Sequence, residues 1–403
     1  MDKLKVGIIG LYRGNSHLKI YQEVIDETEV IAACDLDEDT LNRTAVESDI
    51  QRKYQDYRDL LRDKEIDIAV IGTPCYQHGE MVLDALHAGK HVLSEIPMSN
   101  TSVDSCFKII KAAEFTGLKV TMNNQTAWDP RNVAMKNLVQ EGKIGEVFYG
   151  ECEYFHDISG LFHVKDQAWQ SSFRDGFGLH CQESLGAGGG PWVLDTLRRI
   201  MDDEFVEVTA YGNRKLAPHR TVNDFEVALF KTAKGAIAKF AITKTVKRPA
   251  NVYWSVYGTE GTAERDRQTG TFDLRDEAHA FIWFSQDHTK MDKLPVKPYD
   301  EAPESLKGKG IGHAEGTYLQ DRDFIDAIME DRLPAISIYD AAKTCLASIA
   351  AMQSAKLGHP VKVQPVPDRS SEWPGYRAYQ RENREKRLDQ LKTLNDLYTS
   401  YLY

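Results

Sequence analysis

The chain has 403 residues, which predicts two domains, because single hydrophobic cores stop growing well below that size. Hydrophobic residues make up 42% and charged residues 28%, as is typical of a globular protein, and the formal net charge of -11 disfavours nucleic acid as a partner. The sequence has no apolar segment long enough to predict a signal peptide or a membrane span. The six cysteines lack CxxC spacing and the histidines lack HxH or HxxxH spacing, so we expect no disulfide, no metal site and a cytoplasmic location.

The N-terminal segment has the order strand, glycine turn, helix. The strand is predicted from Lys5 to Ile9 and the helix from about Ser16 to Ile25. Such a turn places backbone N–H groups at a helix N-terminus, where a pyrophosphate is stabilised. Because a tyrosine replaces the middle glycine of GxGxxG, a strand–helix turn without a ligand is the alternative. The turn residues predicted to bind a cofactor are Gly10, Leu11, Tyr12 and Arg13.

Asp35 follows the second predicted strand, Glu29 to Cys34. A carboxylate at this point can accept hydrogen bonds from both hydroxyls of an adenosine ribose. Leu36 and Asp37 come next, so no basic side chain is positioned to hold a 2′-phosphate. The sequence therefore favours NAD over NADP as the cofactor.

The next segments alternate between strand and helix, as in a doubly wound parallel sheet. They are the strand Asp67 to Ile71, the helix Gly79 to Ala88, the strand His91 to Leu93, the helix Val103 to Thr116 and the strand Leu118 to Met122. Residues 1–124 are thus predicted to form a Rossmann dinucleotide-binding domain.

Residues 125–367 show a different pattern, which predicts an α+β domain with a large, mostly antiparallel open sheet. Its predicted strands are Val147 to Phe155, Phe205 to Tyr211, Glu226 to Phe230, Ala236 to Thr243 and Val252 to Tyr257. Residues 368–403 are charged, with leucines at helical spacing. They predict a helical tail that either docks on this protein or a neighbouring subunit, or stays solvated and partly frayed.

The run GTPCYQHGEMVLDALHAGKHVLSEIPMS, residues 72–99, resembles the Gfo/Idh/MocA oxidoreductases, and residues 142–146, GKIGE, resemble the signal for entry into their second domain. The resemblance implies an NAD-binding Rossmann domain and an open sheet that covers the nicotinamide and forms homo-oligomers through its outer face. It also implies further cofactor-site residues after the strands of the first domain: Thr73, Pro74, His78, Glu95, Ile96, Pro97 and Asn124. In that family the lysine of an EKP loop assists hydride transfer, whereas this chain has Ile96 there. Trp192 stands at the family's catalytic histidine, three residues before Asp195.

An EVP-type loop in place of EKP is found in a subgroup of this family, the NAD-dependent glycoside hydrolases. Residues 153–157, EYFHD, and 180–186, HCQESLG, resemble that subgroup's AYxHD strand and YPTHGLG loop. The resemblance implies that Tyr154 is the active-site tyrosine, that His180 replaces a second tyrosine and that Glu183 replaces a histidine. Together with His156, these residues are the predicted proton-transfer groups. The alternatives are that His156 anchors a turn and that His180 and Glu183 are ordinary polar loop residues.

These features predict an NAD-dependent oxidoreductase that acts on a carbohydrate or polyol by hydride transfer at a sugar carbinol. One alternative is an NAD-dependent glycoside hydrolase, which oxidises a sugar carbon, eliminates the leaving group, adds water and returns the hydride. Another is a non-catalytic NAD-bound sensor or regulator. The two enzymatic functions imply a small sugar or glycoside as the substrate.

Overall fold

The computed structural model describes residues 3–99, 102–157, 189–215, 223–243, 245–248, 250–265, 280–284, 291–294, 303, 305–306, 313–367 and 369–370. The predicted catalytic residues His180 and Glu183 lie outside the described residues, as does all of the predicted tail except 369–370. The chain forms two compact units. The first comprises the described parts of Met1–Asn123, Asp321–Ala342 and Val366–Tyr403, and the second those of Asn124–Gln320 and Lys343–Pro365. The segment 321–342, which the sequence analysis puts in the second domain, belongs to the first unit.

The first unit contains a six-stranded parallel sheet in the order β3-β2-β1-β4-β5-β6. All four residues of β4 have no exposed surface, as is typical of a parallel strand covered on both faces. This order confirms the predicted doubly wound sheet. The strands are β1 (Leu4–Ile9), β2 (Thr28–Cys34), β3 (Arg52–Tyr54), β4 (Ile68–Ile71), β5 (His91–Ser94) and β6 (Val120–Met122).

Helices connect these strands. The first begins at Leu11 rather than near Ser16, because Gly10 adopts a φ of 83° and turns the chain directly from strand into helix. Asp37 caps the second helix by accepting the Thr40 N–H at 2.7 Å. The helices are α1 (Leu11–Glu23), α2 (Glu38–Glu47), α3 (Tyr57–Arg62), α4 (His78–His87), α5 (Val103–Thr116), α6 (Pro130–Gln140), α7 (Gly189–Met201), α8 (His313–Met329) and α9 (Ile338–Leu357).

The second unit contains a nine-stranded sheet in the order β14-β13-β12-β11-β7-β10-β9-β8-β15. Among its described strands, β7 and β10 pair in parallel and the other neighbours are antiparallel, which confirms the predicted, mostly antiparallel sheet. The strands are β7 (Val147–Phe155), β8 (Phe205–Asn213), β9 (Phe225–Thr232), β10 (Ile237–Thr243), β11 (Asn251–Gly258), β12 (Gly261–Arg265), β13 (Ala280–Phe284), β14 (Met291–Leu294) and β15 (Val361–Lys362).

One face of this second sheet packs on α7. The indole N–H of Trp254 on β11 donates to the Val193 carbonyl of α7 at 3.0 Å, and a Cβ on Gly150 of β7 would lie 2.5 Å from the Met201 sulfur. A larger residue at position 150 would therefore displace the flexible Met201 side chain, and glycine lets helix and strand pack closely without that shift.

The cysteines depart from the expectation at one position. Cys34, Cys106, Cys152 and Cys345 are free and buried, but Cys75 is disulfide-bonded. The expectation that the chain forms no disulfide is therefore wrong, because linear spacing does not reveal which cysteines the fold brings together. In the part of the chain that the structure describes, no helix is long and apolar enough to cross a membrane.

Candidate cofactor and active site

The glycine turn after β1 lies against the turn after β4, at the point where the strand order of the first sheet reverses. A Cβ on Gly10 would lie 2.8 Å from the Gly72 carbonyl carbon, and a Cβ on Gly72 would lie 2.5 Å from the Gly14 nitrogen. Only glycine permits this approach of the two turns. In open parallel sheets such a switch point, at the carboxyl ends of the strands, is where nucleotides bind.

Asp35 lies beside this turn, as the sequence predicts for a ribose-binding carboxylate. One oxygen, Oδ2, accepts the Leu11 N–H at 2.8 Å, and Oδ1 accepts the Asp37 N–H at 3.0 Å. These bonds fix the carboxylate at the end of β2 while each oxygen retains a lone pair. Asp35 is partly exposed, as a carboxylate that binds a ligand has to be.

The predicted site residues Thr73 and Pro97 are joined by one buried histidine. His78 Nε2 lies 2.7 Å from the Thr73 carbonyl oxygen, and its Nδ1 lies 2.7 Å from the Pro97 carbonyl oxygen. Burial lowers the pKa of His78, whereas the hydrogen bonds to the Pro97 and Thr73 carbonyls oppose that shift. His78 therefore holds the turns after β4 and β5 together rather than offering a free ring nitrogen to a ligand.

Glu95, which follows β5, is the centre of a buried charged cluster in the first unit. Its Oε1 accepts a hydrogen bond from Asn123 Nδ2 at 3.0 Å and lies 3.4 Å from His17 Nε2 and 3.5 Å from an Arg13 guanidinium nitrogen. His17 Nδ1 lies 2.9 Å from Asp321 Oδ1. We name these residues the Glu95 cluster: Arg13, His17, Glu95, Asn123 and Asp321.

The Glu95 cluster balances two carboxylates against two cations. Burial alone lowers the pKa of His17, but Asp321 and Glu95 raise it to about 10. Burial raises the pKa of Glu95, but Arg13, His17 and Asn123 hold it well below its usual range. Burial also raises the pKa of Asp321, and the His17 imidazolium opposes that rise. Glu95 is therefore ionised and His17 protonated at neutral pH.

In the second unit, Tyr154 and His156 lie at the carboxyl end of β7. The Tyr154 hydroxyl lies 3.5 Å from His156 Nδ1, and its ring meets the Trp192 ring edge-on with centroids 6.0 Å apart. Burial lowers the pKa of His156, and Asp157 opposes this effect. His156 is thus neutral near pH 7 and can accept a proton from the phenol. Trp192, where the family has a histidine, donates its indole N–H to Gln125 Oε1 at 3.1 Å.

The amide of Asn124 is engaged inside the second unit. Its Nδ2 donates to Asp195 Oδ2 at 2.7 Å, and the Thr344 hydroxyl donates to Asp195 Oδ1 at 2.6 Å. Burial opposes ionisation of Asp195, but Arg199 and Arg198 lower its pKa below the usual value. Asn124 has no exposed surface, and its amide is bonded to Asp195. Its assignment to the cofactor site stays a prediction.

The remaining predicted cofactor residues lie at the same edge of the first sheet. Tyr12 and Arg13, on the first turn of α1, are exposed, and Ile96 is partly exposed. These positions fit NAD: the N-terminus of α1, where a diphosphate is stabilised, lies directly after the glycine turn, the Arg13 cation is adjacent, and Asp35 lies beside the turn. Sequence reasoning missed His17 and Asp321, because nothing in the pattern links residues 304 positions apart.

A dinucleotide-binding sheet in one unit and an open, mostly antiparallel sheet in the other define a class of two-domain NAD-dependent oxidoreductases. Two family descriptions match the chain: the oxidoreductase family with an NAD-binding Rossmann fold at residues 4–124, and the Gfo/Idh/MocA C-terminal domain at residues 132–264. The chain therefore belongs to the Gfo/Idh/MocA family, as the sequence motifs predict. The NAD-binding description of the first domain confirms NAD as the cofactor.

Two curated relatives are each 26% identical to this chain. One is a glycosyl hydrolase family 109 protein from Shewanella pealeana, matched over 288 residues, 65% of this chain and 63% of the relative. The other is an alpha-N-acetylgalactosaminidase from Shewanella oneidensis, matched over 289 residues, 65% of this chain and 62% of the relative. The match thus spans less than two thirds of the length of either relative.

Among solved structures, myo-inositol 2-dehydrogenase from Lactobacillus plantarum is similar with a TM-score of 0.72 and 20% identity, over 90% of this chain and 100% of the other. At this level of identity the similarity shows the fold, and activity has to be argued from the site.

Proposed function

We propose that this protein is an NAD-dependent oxidoreductase that removes a hydride from a carbinol of a carbohydrate or polyol. Its family and the cofactor of its fold support the redox part of the proposal. A polyol dehydrogenase among its structural neighbours is compatible with the substrate class.

The observation that carries the proposal is the Tyr154–His156 pair. Oxidation of a carbinol requires a group that accepts the hydroxyl proton as the C–H bond breaks. The usual lysine is replaced by Ile96. Tyr154 is partly exposed, and His156, whose pKa burial lowers, is 3.5 Å from its hydroxyl. The pair can therefore take the substrate's proton at Tyr154 and pass the phenol proton to His156 Nδ1.

The other residues have binding roles in this proposal. Bound NAD supplies the hydride acceptor. Asp35 accepts the hydroxyls of its adenosine ribose, and the backbone from Gly10 to Leu11 with the Arg13 side chain binds its diphosphate. Ile96 makes an apolar contact beside the nicotinamide and transfers no proton.

A second candidate function is a redox-neutral glycosidase. It is favoured by the two relatives named as a family 109 glycosyl hydrolase and an alpha-N-acetylgalactosaminidase, and by Ile96 at the lysine position. Elimination of a glycoside needs a second proton-transfer group close to the sugar C2. His180 and Glu183 are the residues predicted for that step.

The two functions differ in what happens to hydrogen at C2. The protein should be incubated with NAD and with free sugars, polyols and glycosides that carry deuterium at C2. A dehydrogenase accumulates reduced cofactor with a free sugar or polyol and does not release the C2 deuterium to solvent: the deuterium stays on the product, or moves to the nicotinamide if C2 is the carbon oxidised. Loss of deuterium to solvent without net NADH selects the glycosidase. If no compound in the panel gives either result, the non-catalytic sensor is the function that remains.

We propose that the protein forms a homo-oligomer through the outer face of the second sheet. Three exposed apolar side chains lie on the face of this sheet opposite α7: Tyr211, Leu229 and Ile237, which are 63%, 50% and 39% exposed. The strand pairing puts them on the same face as Glu151 and Lys239. Exposed apolar side chains on one face are typical of an interaction surface. The cytoplasmic location stays a prediction.

A further inference from the structure

His17 is a fully buried histidine held between two carboxylates. It lies on α1, with Nδ1 at 2.9 and 3.0 Å from the two oxygens of Asp321 on α8 and Nε2 at 3.4 Å from Glu95 Oε1. Neither His17 nor Asp321 has exposed surface. Both lie in the first unit, and neither is one of the predicted cofactor or catalytic residues.

A buried charged cluster of this kind is a poor way to stabilise a fold. Removing two carboxylates and an imidazolium from water costs as much as their attraction returns, so apolar residues of similar volume serve stability equally well. The Glu95 cluster also runs from the buried interior of the first unit to its surface. It begins at the buried Asp321 and ends at Arg13, whose side chain is 54% exposed on the first turn of α1. Its open end therefore lies at the glycine turn where the cofactor diphosphate binds.

We propose that His17 and Asp321 are positioning residues of the NAD site. Asp321 fixes the His17 ring, and His17 with Asn123 fixes the Glu95 carboxylate at the end of β5. Glu95 in turn holds the Arg13 guanidinium over the start of α1. The cluster sets the place of one diphosphate-binding cation without itself touching the reacting atoms.

The proposal predicts how NAD binding depends on pH. Two carboxylates face His17: Asp321 on α8 and Glu95 after β5. Beyond them on α1, Arg13 lies 3.5 Å from Glu95, and Tyr21 has a pKa that burial and Asp321 raise. Because Asp321 and Glu95 together raise the pKa of His17 to about 10, the ring stays charged at neutral pH. In Asp321→Asn one carboxylate is lost, burial then dominates, and His17 becomes neutral as pH rises.

The test is calorimetric titration of the intact protein with NAD from pH ~6 to pH ~9, a range in which the charge of NAD is constant. The wild type should bind NAD with nearly constant affinity. Asp321→Asn should bind NAD with falling affinity as pH rises, weaker by about tenfold at the upper end. Because binding is measured without substrate, the result does not depend on the proposed reaction.

The chain offers a matched control. Asp331 lies 2.9 Å from the buried Lys119 Nζ and, like Asp321, belongs to segment 321–342 of the first unit. Lys119 precedes β6 whereas Asn123 follows it, so this pair lies at the other edge of the sheet. Asp331→Asn removes the same charge from a buried cation and should leave both the affinity and its pH profile unchanged.

A double variant keeps the test decisive if Asp321→Asn does not fold. His17→Asn with Asp321→Asn leaves no titratable ring, so NAD should bind more weakly than to the wild type but with a flat pH profile. The His17 ring signals in NMR should also show an imidazolium in the wild type at neutral pH. Wild-type affinity in the double variant, a flat profile in a folded Asp321→Asn, or a neutral His17 in the wild type would overturn the proposal.

Discussion

Replacing Asp35 with asparagine removes one charge at the end of β2 and keeps the size of the side chain. Its two oxygens accept the Leu11 and Asp37 N–H groups at 2.8 and 3.0 Å, and each retains a lone pair for a ribose hydroxyl. A hydrogen bond to a charged group contributes ~1.5–3 kcal/mol. We therefore expect Asp35→Asn to weaken NAD binding by roughly 10- to 150-fold, since about 1.4 kcal/mol corresponds to a factor of ten.

The assay is calorimetric titration of the wild type and the variant with NAD and with NADP. Asp37→Asn is the control, because Asp37 caps α2 through the Thr40 N–H and asparagine caps equally well. It should bind NAD like the wild type. Unchanged NAD affinity in Asp35→Asn, or tighter binding of NADP than of NAD by the wild type, would refute the assignment of Asp35 to the ribose.

Three further substitutions test other parts of the proposed site. Ile96→Ala should keep turnover within about tenfold of the wild type, because the substitution removes no proton-transfer group. A near-complete loss of turnover with normal NAD affinity would contradict this. Tyr154→Phe should lower kcat by ~10²-fold or more, whereas Tyr253→Phe, which removes a hydroxyl bonded to Glu264 at 2.9 Å, should not; equal kinetics of the two variants would exclude Tyr154. Leu229→Asp should shift the protein to a smaller species in analytical ultracentrifugation, while Leu357→Asp, at a leucine 60% exposed on α9, should not; an unchanged sedimentation profile for Leu229→Asp would place the interface elsewhere.

Local pattern predicted much of the first domain. The helix predicted from Val103 to Thr116 has those bounds in the structure, since Ser102 caps its start and Gly117, in the left-handed conformation, ends it. The place of Asp35 beside the glycine turn was predictable for the same reason, because local order defines the carboxyl end of a strand; its contact with a ribose stays a prediction. The boundary of α1 was wrong because the shortened glycine turn leaves no loop residues before the helix.

Contacts between distant segments were not predictable. The Glu95 cluster joins Glu95 after β5, His17 on α1 and Asp321 on α8, and only the packed structure shows that their charges meet. Asn124 illustrates the same limit. Its cofactor contact stays a prediction, whereas the hydrogen bond of its amide to Asp195 of α7 appears only in the packed structure. Local patterns specify elements and their ends, whereas the partners of a buried polar group depend on tertiary packing.

Transfer of an isotope from substrate to cofactor tests the central claim most directly. The protein should be mixed with NAD and a panel of sugars and polyols that carry deuterium on each carbinol carbon in turn, and the nicotinamide product analysed by mass spectrometry. We predict that one carbinol position delivers its deuterium to the nicotinamide and that reduced cofactor accumulates, and that both signals fall sharply in Tyr154→Phe. Absence of deuterium in the nicotinamide for every carbohydrate and polyol tested, from a protein that binds NAD, would contradict hydride transfer as its function.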